Sequence, residues 1–299
     1  MPLDLADWQY DIGGVVIGAG TSVQVIETTG LGRPPVRDND VDQPSMDGQF
    51  AGPDYWTGRQ IQFDAAVRIP GDAAACHDMI AQLQAATDPT AVRLVGGQGL
   101  TMRIKRPGRP VKSLTVRARK LDPEYKQVIH GYVPLDLEFL AHDPTFYADA
   151  DSTTEIPLGW LTGGGFAAPV TAPIYVQDGT VAADRPGWVT NSGDADTWPV
   201  IRITGPCSNV SVIHVPTGRV LALPTLTVPA SRWVEIDTRP GYRTVTWDNG
   251  GNASSYLSPS SRIDLFSLPP GQSEMRWTAF DNTNTARMRL TWRDAYTAL

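Results

Sequence analysis

The sequence predicts a mainly β protein, with an N-terminal β-sheet domain that contains one α-helix and a C-terminal β-sandwich or jelly roll. Three observations predict this fold. Short strand-like runs recur along the 299 residues, and 28 glycines and 25 prolines mark turns between them. One segment carries an apolar stripe at helical spacing. The last strand pattern alternates strictly between apolar and polar residues, which indicates one buried and one solvated face.

The first block opens with two strand patterns. Val15–Ile17 and Val23–Ile26 flank Gly18-Ala19-Gly20, so we expect a hairpin here. Residues 31–58 follow as an irregular loop with two adjacent prolines and an acidic run, and loops of this length are usually functional or mobile. Arg59–Ile69 then resumes as a strand.

The predicted helix lies between Asp72 and Asp88. Its apolar stripe has the spacing i, i+3, i+4 and i+7 and consists of Cys76, Met79, Ile80 and Leu83. Asp72 is a suitable N-cap, and Asp88-Pro89 ends the helix. The strands expected after it are Val92–Val95, Thr101–Lys105, Val111–Leu121 and Gly131–Ala141.

The chain divides into two predicted domains, residues 1–150 and residues 151–299. The boundary falls in residues 150–165, a polar stretch that ends in three glycines. Regularly spaced short strands in the second domain favour a sandwich or jelly roll. The expected strands are Ile174–Gln177, Val200–Thr204, Val210–Val215, Val220–Leu223, Trp233–Asp237, Thr244–Trp247, Arg262–Leu268, Met275–Phe280 and Ala286–Arg293.

Charge and cysteine content restrict the function classes. The formal net charge is -7, so the basic footprint of a protein that neutralises nucleic-acid phosphates is missing overall. Cys76 and Cys207 lie far apart and are expected to be free thiols of a protein made in a reducing cytosol. The N-terminus does not resemble a signal peptide, and no apolar stretch approaches 18 residues, so we expect no membrane insertion.

Several short motifs occur in an order that is similar to one known family. In the second domain these are Asn191-Ser192-Gly193, Pro199-Val200-Ile201-Arg202-Ile203-Thr204-Gly205, Thr217-Gly218-Arg219, Trp233-Val234-Glu235-Ile236-Asp237, Leu268-Pro269-Pro270-Gly271 and Leu290-Thr291-Trp292-Arg293. In the first domain, Gly58-Arg59-Gln60-Ile61-Gln62-Phe63 precedes the single helix. By these motifs the chain resembles the distal tail proteins (Dit) of siphovirus-type phages. Their order and spacing carry the resemblance, because each motif is short.

The resemblance implies a structural protein of the phage tail tip, or baseplate hub. It implies an N-terminal domain that closes a homo-hexameric ring and a galectin-like β-sandwich outside it. The expected partners are the tail tube protein, tail-associated, fibre or receptor-binding proteins, and the tape measure protein. The ring would leave a channel for DNA without specific nucleic-acid binding. Such a protein is synthesised in the host cytoplasm and ends in the virion tail tip.

No pattern in the sequence supports catalysis, a cofactor or a metal. Gly13 to Gly20 is glycine-rich but lacks the order and the following helix of a dinucleotide loop. The four histidines share no metal-ligand spacing with one another or with the cysteines. No serine nucleophile motif is present. We therefore assign no catalytic, cofactor-binding or metal-binding residue and expect no enzyme; a glycoside hydrolase is the alternative that turnover would reveal.

A basic cluster is the main candidate for an interface. Eight cations occur without an acidic residue between them: Arg103, Lys105, Arg106, Arg109, Lys112, Arg117, Arg119 and Lys120. The turn signal Arg106-Pro107-Gly108-Arg109-Pro110 indicates a positively charged hairpin. One interpretation is a solvated hairpin with its alternate residues in a core. We expect instead a contact with acidic surface on a neighbouring subunit or tail partner, for which the loop at residues 38–47 is one candidate. Contact with transiting DNA is the weaker alternative, because strong phosphate binding would hinder its passage.

The tryptophans raise a second functional possibility. Six of nine lie from Trp188 onward, and aromatic faces can stack on sugars. A carbohydrate-binding host-recognition module is therefore the alternative function. Trp277 and Trp292, however, lie on apolar strand faces, where a role in the core is expected.

Overall fold

The computed structural model describes residues 4–158, 187–283 and 285–299. The chain forms two compact units: one consists of Met1–Ala150 with Ala295–Leu299, and the other of Asp151–Asp294. Both units are built mainly from β-strands, which confirms the predicted fold class. The strand expected at Ile174–Gln177 and the glycines at 163–165 lie outside the described residues. No helix in the described part of the chain is both long and apolar enough to cross a membrane.

The first unit contains one large antiparallel sheet. Its strands are β1 (Gln9–Ile12), β2 (Val15–Gly18), β3 (Val23–Thr29), β8 (Arg59–Arg68), β9 (Leu100–Ile104), β10 (Lys112–Pro123), β11 (Tyr132–Ala141) and β12 (Phe146–Ala148). The strand order in the sheet is β2-β1-β9-β10-β11-β8-β3, with β12 beside β10. Alternating burial along β8 and β11 directs one face into the core of this unit.

The hairpin predicted around Gly18-Ala19-Gly20 is wrong. Strand β2 pairs with β1, whereas β3 pairs with β8, so β2 and β3 lie at opposite ends of the strand order. The turn is at Gly13-Gly14 instead, where both φ angles are positive (60° and 94°), a conformation that glycine adopts without strain. The Asp11 carboxylate accepts a hydrogen bond from the Gly14 N–H at 2.8 Å and supports this turn.

The predicted helix is confirmed as α1 (Ala73–Thr87), which begins after Asp72. The Asp72 carboxylate accepts the Ala75 N–H at 2.9 Å, as expected of an N-cap. Cys76, Ile80 and Leu83 are buried in the core of the unit.

The strand predicted at Val92–Val95 is wrong, because a short helix α2 (Thr90–Leu94) occupies this segment. The N–H groups of Val92 and Arg93 donate to the Pro89 carbonyl at 2.9 and 3.1 Å. These local bonds take the place of the ladder that a strand would require.

Residues 36–56, predicted to be an irregular loop, form an exposed ribbon that we call the β-arm. Its short strands are β4 (Val36–Arg37), β5 (Val41–Asp42), β6 (Gln49–Phe50) and β7 (Tyr55–Trp56). Strand β4 pairs with β7 and β5 pairs with β6, so one hairpin is nested inside another. All four strands are exposed to solvent along their length.

Two sheets enclose a single apolar core in the second unit, as predicted for a sandwich. The five-stranded sheet has the order β13-β21-β15-β18-β19, and the four-stranded sheet has the order β14-β20-β16-β17. The strands are β13 (Ser152–Pro157), β14 (Trp188–Asn191), β15 (Val200–Thr204), β16 (Cys207–His214), β17 (Arg219–Val228), β18 (Trp233–Asp237), β19 (Thr244–Trp247), β20 (Gly271–Phe280) and β21 (Arg287–Trp292).

Most strand predictions for this unit hold, and one is wrong. Residues 286–293 alternate as expected, with Ala286, Met288, Leu290 and Trp292 buried. Arg262–Leu268 was predicted as a strand but contains the 3-10 helix Ile263–Leu265. The Arg262 guanidinium donates to the Asp264 carboxylate at 2.8 and 2.6 Å, and this local ion pair closes a turn.

The chain ends with β22 (Ala295–Tyr296), which returns to the first unit. Phe146 of β12 pairs with Tyr296, and Tyr147 pairs with Ala295. The last five residues therefore pack with the first unit, although the sequence analysis placed residues 151–299 in one domain.

Candidate assembly surface

The predicted basic hairpin exists: β9 and β10 pair in antiparallel register, with Ile104 opposite Lys112. Residues 106–109 form the turn, closed by a hydrogen bond from the Arg109 N–H to the Arg106 carbonyl at 3.1 Å. The eight basic side chains nevertheless divide into groups with different surroundings, and only some of them are available to a partner.

Arg103 and Lys112 act inside the first unit. The Arg103 guanidinium donates to both carboxylate oxygens of Asp149, at 2.7 and 2.6 Å, and reaches Asp11 at 3.3 Å. The hydrogen bond to Asp149 raises the pKa of Arg103 above its ordinary value. Lys112 is also buried; its Nζ donates to the Ala298 carbonyl at 2.7 Å and lies 3.8 Å from the centre of the Tyr296 ring. Their burial removes both residues from the candidate surface.

Three further cations have partners nearer the surface. Arg117 donates to the backbone carbonyls of Val95 and Gln98. The Lys120 ammonium contacts the carboxylate of Asp136 at 2.5 Å, and this hydrogen bond raises the pKa of Lys120. Lys105 donates to the Arg109 carbonyl at 2.7 Å and so stiffens the turn.

Arg106, Arg109 and Arg119 are the basic residues still available to a partner. Of these three, Arg106 has the most clearly defined contacts within the protein. Its guanidinium lies 4.8 Å from the ring centre of Trp8 and 5.0 Å from that of Tyr10. It also donates to the Tyr10 hydroxyl at 2.6 Å. Arg109 and Arg119 are exposed. The role of these residues in an interface stays a prediction.

A groove of about 540 Å³ opens beside Arg106. Trp8 and Tyr10 line it with Gly18 to Gly20 and with Gln24 to Thr28 of β3. Trp8 is 55 % exposed and Ile26 is 64 % exposed, so the groove presents apolar surface to solvent. Trp8, Tyr10 and Ile26 were not predicted as site residues, because no sequence pattern connects the N-terminus with β3 and the turn after β9.

The β-arm presents the opposite charge. Five aspartates lie in residues 38–54, with no lysine, arginine or histidine among them. Two of them stabilise the arm: Asp42 accepts from Gln49 and Asp40 accepts from the Gly52 N–H, both at 2.8 Å. Apolar side chains are exposed along the same segment, including Met46 at 74 % and Phe50 at 59 %. Exposed apolar surface on a charged projection is typical of a binding site for another protein.

Among the residues considered for chemistry, Cys76, Cys207 and His214 are buried, whereas the other three histidines are exposed. Cys76 and Cys207 are free and buried, and burial raises the pKa of Cys207 to about 11, which keeps it a protonated, unreactive thiol. His214 is fully buried, and its Nδ1 lies 2.6 Å from the Thr217 hydroxyl. Within the described residues, no group of three or more histidine, cysteine, aspartate or glutamate side chains is arranged to hold a metal ion.

The tryptophans of the sandwich pack against the protein itself. Trp277 and Trp292 are core residues, as predicted, and their indole N–H groups donate to the carbonyls of Ile156 and Thr190 at 3.1 Å. The Arg202 guanidinium lies 4.1 Å from the centre of the Trp233 ring. One face of this ring is therefore covered by a cation.

The first unit, a large sheet with one main helix, and the second unit, a β-sandwich, have the folds that the resemblance to the distal tail proteins implies. Residues 192–296 match the family "Siphovirus-type tail component, C-terminal domain". This match and the fold confirm the resemblance to the distal tail protein family that the sequence motifs indicated.

Solved structures share the fold over nearly the whole chain. The Dit protein of phage SPP1, described as a paradigm of the hub adsorption apparatus in phages that infect Gram-positive bacteria, is 14 % identical with a TM-score of 0.60. A chain of the phage P2 baseplate, in its activated conformation with calcium, is 12 % identical with a TM-score of 0.55. Each alignment covers 95 % of this chain and 97 % of the other. A comparison with curated protein sequences gave no match.

Proposed function

We propose that this protein is a non-enzymatic structural component of a phage tail tip. The observation that carries the proposal is the match of residues 192–296 to a siphovirus tail component, in a chain that shares its fold with the Dit protein of phage SPP1 over 95 % of its length.

The finer proposal is a ring of six copies in the virion. Identical subunits that contact one another head to tail use two different surfaces, and such an interface closes into a ring when its rotation permits. The ring would stack on the tail tube protein, hold fibre or receptor-binding proteins and contact the tape measure protein. Its centre would be a channel through which DNA passes without specific binding.

The native mass of the purified protein tests this proposal. Six copies of 32.4 kDa give about 194 kDa, and we expect this species in native mass spectrometry. Negative-stain microscopy of the same sample should show rings with an open centre. A protein that remains monomeric at every concentration would exclude a ring that closes without partners.

Turnover assays separate the structural proposal from the glycoside hydrolase alternative. The hub proposal predicts no release of sugar from phage-susceptible cell walls by the assembled protein. Reproducible hydrolysis that disappears on replacement of a single carboxylate would contradict it.

A further inference from the structure

We propose that the solvent face of the five-stranded sheet in the sandwich binds an acidic saccharide, a sugar unit that carries a phosphate or a carboxylate group. The site is centred on Arg202 and Arg289, which lie opposite each other on two neighbouring strands. The inference concerns a single copy of the chain and goes beyond the proposed structural role, because it gives the sandwich a ligand.

Four charged side chains from four adjacent strands form one row across this sheet. In strand order they are Glu155, Arg289, Arg202 and Glu235, and each is opposite the next in the register. The residues on both sides of Arg202 in its strand, Ile201 and Ile203, are fully buried in the core of the sandwich. The row therefore lies on the face that points to solvent.

The order of charges within the row places the two cations side by side. Like charges directly opposite each other destabilise an antiparallel pair of strands. The Glu155 carboxylate contacts the Arg289 guanidinium at 3.1 Å, and the Glu235 carboxylate accepts from Arg202 at 3.0 and 2.7 Å. Both acids thus hold their arginine from the outer end of the row. The centre keeps two adjacent guanidinium groups, which are strong hydrogen-bond donors to phosphate and carboxylate groups.

The next row adds a third cation to the same face. Arg287 is two residues before Arg289 in β21, so both side chains point to the same side of the sheet. Arg287 lies opposite Thr204, which in turn lies opposite Trp233. Three guanidinium groups at neighbouring positions contrast with the net charge of -7 of the whole chain. Their concentration on one face favours an anionic ligand.

The surroundings of the arginines favour a sugar over a simple anion. Each carboxylate at the ends of the row has acceptor sites left for hydroxyl groups, because an ionised carboxylate has about four lone-pair positions. Trp233 is half-buried and adjoins the row, where its apolar ring can pack against the C–H groups of a sugar. A saccharide with one anionic group satisfies the donors at the centre, the acceptors at the ends and the aromatic ring together.

The central side chain is held in place before any ligand binds. Arg202 makes two hydrogen bonds to Glu235, and its guanidinium lies 4.1 Å from the centre of the Trp233 ring. Its side chain is nevertheless 39 % exposed, and that of Arg289 is 54 % exposed. A ligand therefore meets accessible donors whose rotamer freedom is already restricted, which lowers the cost of binding.

Four small probes test the chemistry on the full chain, by titration calorimetry and by saturation-transfer NMR. Glucose 1-phosphate and glucuronic acid represent the two sources of the anionic group, methyl glucoside is the neutral sugar, and inorganic phosphate is the anion without a sugar. We expect at least one acidic sugar to bind about tenfold or more tightly than methyl glucoside and than inorganic phosphate. Its binding should weaken as salt is raised.

Three variants locate the site. Arg202→Gln and Arg289→Gln should each weaken binding of the acidic sugar by about tenfold or more. Trp233→Leu should weaken binding of the acidic sugar and leave the weak binding of inorganic phosphate unchanged. Arg276→Gln is the matched control, because Arg276 also pairs with a glutamate, Glu274 at 2.6 Å, but in the four-stranded sheet. Circular dichroism and thermal melting verify that each variant is folded.

The outcomes distinguish this inference from the proposed function. Equal affinity for methyl glucoside and the acidic sugars would overturn the role of the arginines, and equal affinity for inorganic phosphate would overturn the saccharide. Binding that survives both Arg202→Gln and Arg289→Gln would also overturn the site. A protein that forms the ring of six but binds neither acidic sugar contradicts the inference alone, whereas sugar binding by a protein that never forms a ring contradicts the self-assembling ring alone.

Discussion

The Arg59 guanidinium lies 4.4 Å from the centre of the Phe146 ring, inside the first unit, where both side chains are fully buried. The Arg59 Nε donates to the Pro144 carbonyl and its Nη1 to the Gly30 carbonyl, both at 3.1 Å. Nη1 also contacts the Gly32 carbonyl. Arg59 therefore joins the segment that leads into the β-arm to the segment before β12, and burial lowers its pKa.

Replacement of Arg59 by leucine should reduce the free energy of unfolding by about 1–3 kcal/mol, because the partly buried carbonyl groups of Gly30, Gly32 and Pro144 lose their donor. Urea denaturation measures this loss. Hydrogen exchange in residues 36–56 should be faster in this variant than in wild type. Arg119→Leu, at an exposed position, is the control and should change stability by less than about 0.5 kcal/mol. Equal stability of the two variants would contradict a role for Arg59 in holding the base of the arm.

The partly buried pair of Arg103 and Asp149 should contribute more to stability than an exposed pair. Asp149→Asn leaves the Arg103 charge with weaker partners, and we expect a loss of about 2–3 kcal/mol. Asp136→Asn, which breaks the exposed contact with Lys120, should cost less than about 1 kcal/mol. Urea unfolding of both variants gives the comparison. A larger loss of unfolding free energy for Asp136→Asn than for Asp149→Asn would show that the exposed ion pair stabilises the basic hairpin more than the partly buried one does.

His214 should make the sandwich sensitive to mild acid. Burial lowers the pKa of His214 below its ordinary 6.5; Arg219 adds to this effect and Asp196 opposes it. The unfolded chain therefore binds the proton more tightly, so this contribution to stability is complete above pH 6.5 and is lost as pH falls through the lower folded-state pKa.

The measurement is the melting temperature between pH 7.5 and 5 for wild type and for His214→Leu. The melting temperature of wild type should decrease as the pH falls over this range. The melting temperature of the variant should decrease less. His77→Gln, a change outside the sandwich, serves as the control. Parallel curves for wild type and His214→Leu would assign the pH dependence to other groups.

Thiol reactivity should report folding directly. Cys76 and Cys207 are buried, so native protein should react slowly with a thiol reagent near neutral pH. In urea both should react at once. The variant Cys207→Ser leaves one thiol and identifies the contribution of each unit. Rapid reaction of Cys207 in the native protein would contradict a pKa of about 11.

The sequence predicted the elements with strong periodicity and missed those whose structure depends on distant residues. The helix at 73–87 and the strand at 287–292 follow from their own apolar patterns. The β-arm was read as a loop, because its strands have two residues each and no buried face to impose alternation.

The basic cluster shows the same limit for the site. Arg103 finds its partners Asp11 and Asp149 at positions 92 and 46 residues away in the chain. Charge counted along a short window therefore overestimates the charge that reaches the surface. The groove beside Arg106 was missed for a related reason, since Trp8 and Ile26 come to line it through a chain path that local sequence does not encode.

The return of β22 to the first unit means that the sandwich is an insertion between two neighbouring strands. Tyr147 is paired with Ala295, so the chain leaves and re-enters the first unit at nearly the same place. A short turn in place of residues 151–294 would join strands that are already side by side. A different domain could therefore replace residues 151–294 while the sheet of the first unit keeps every strand it needs.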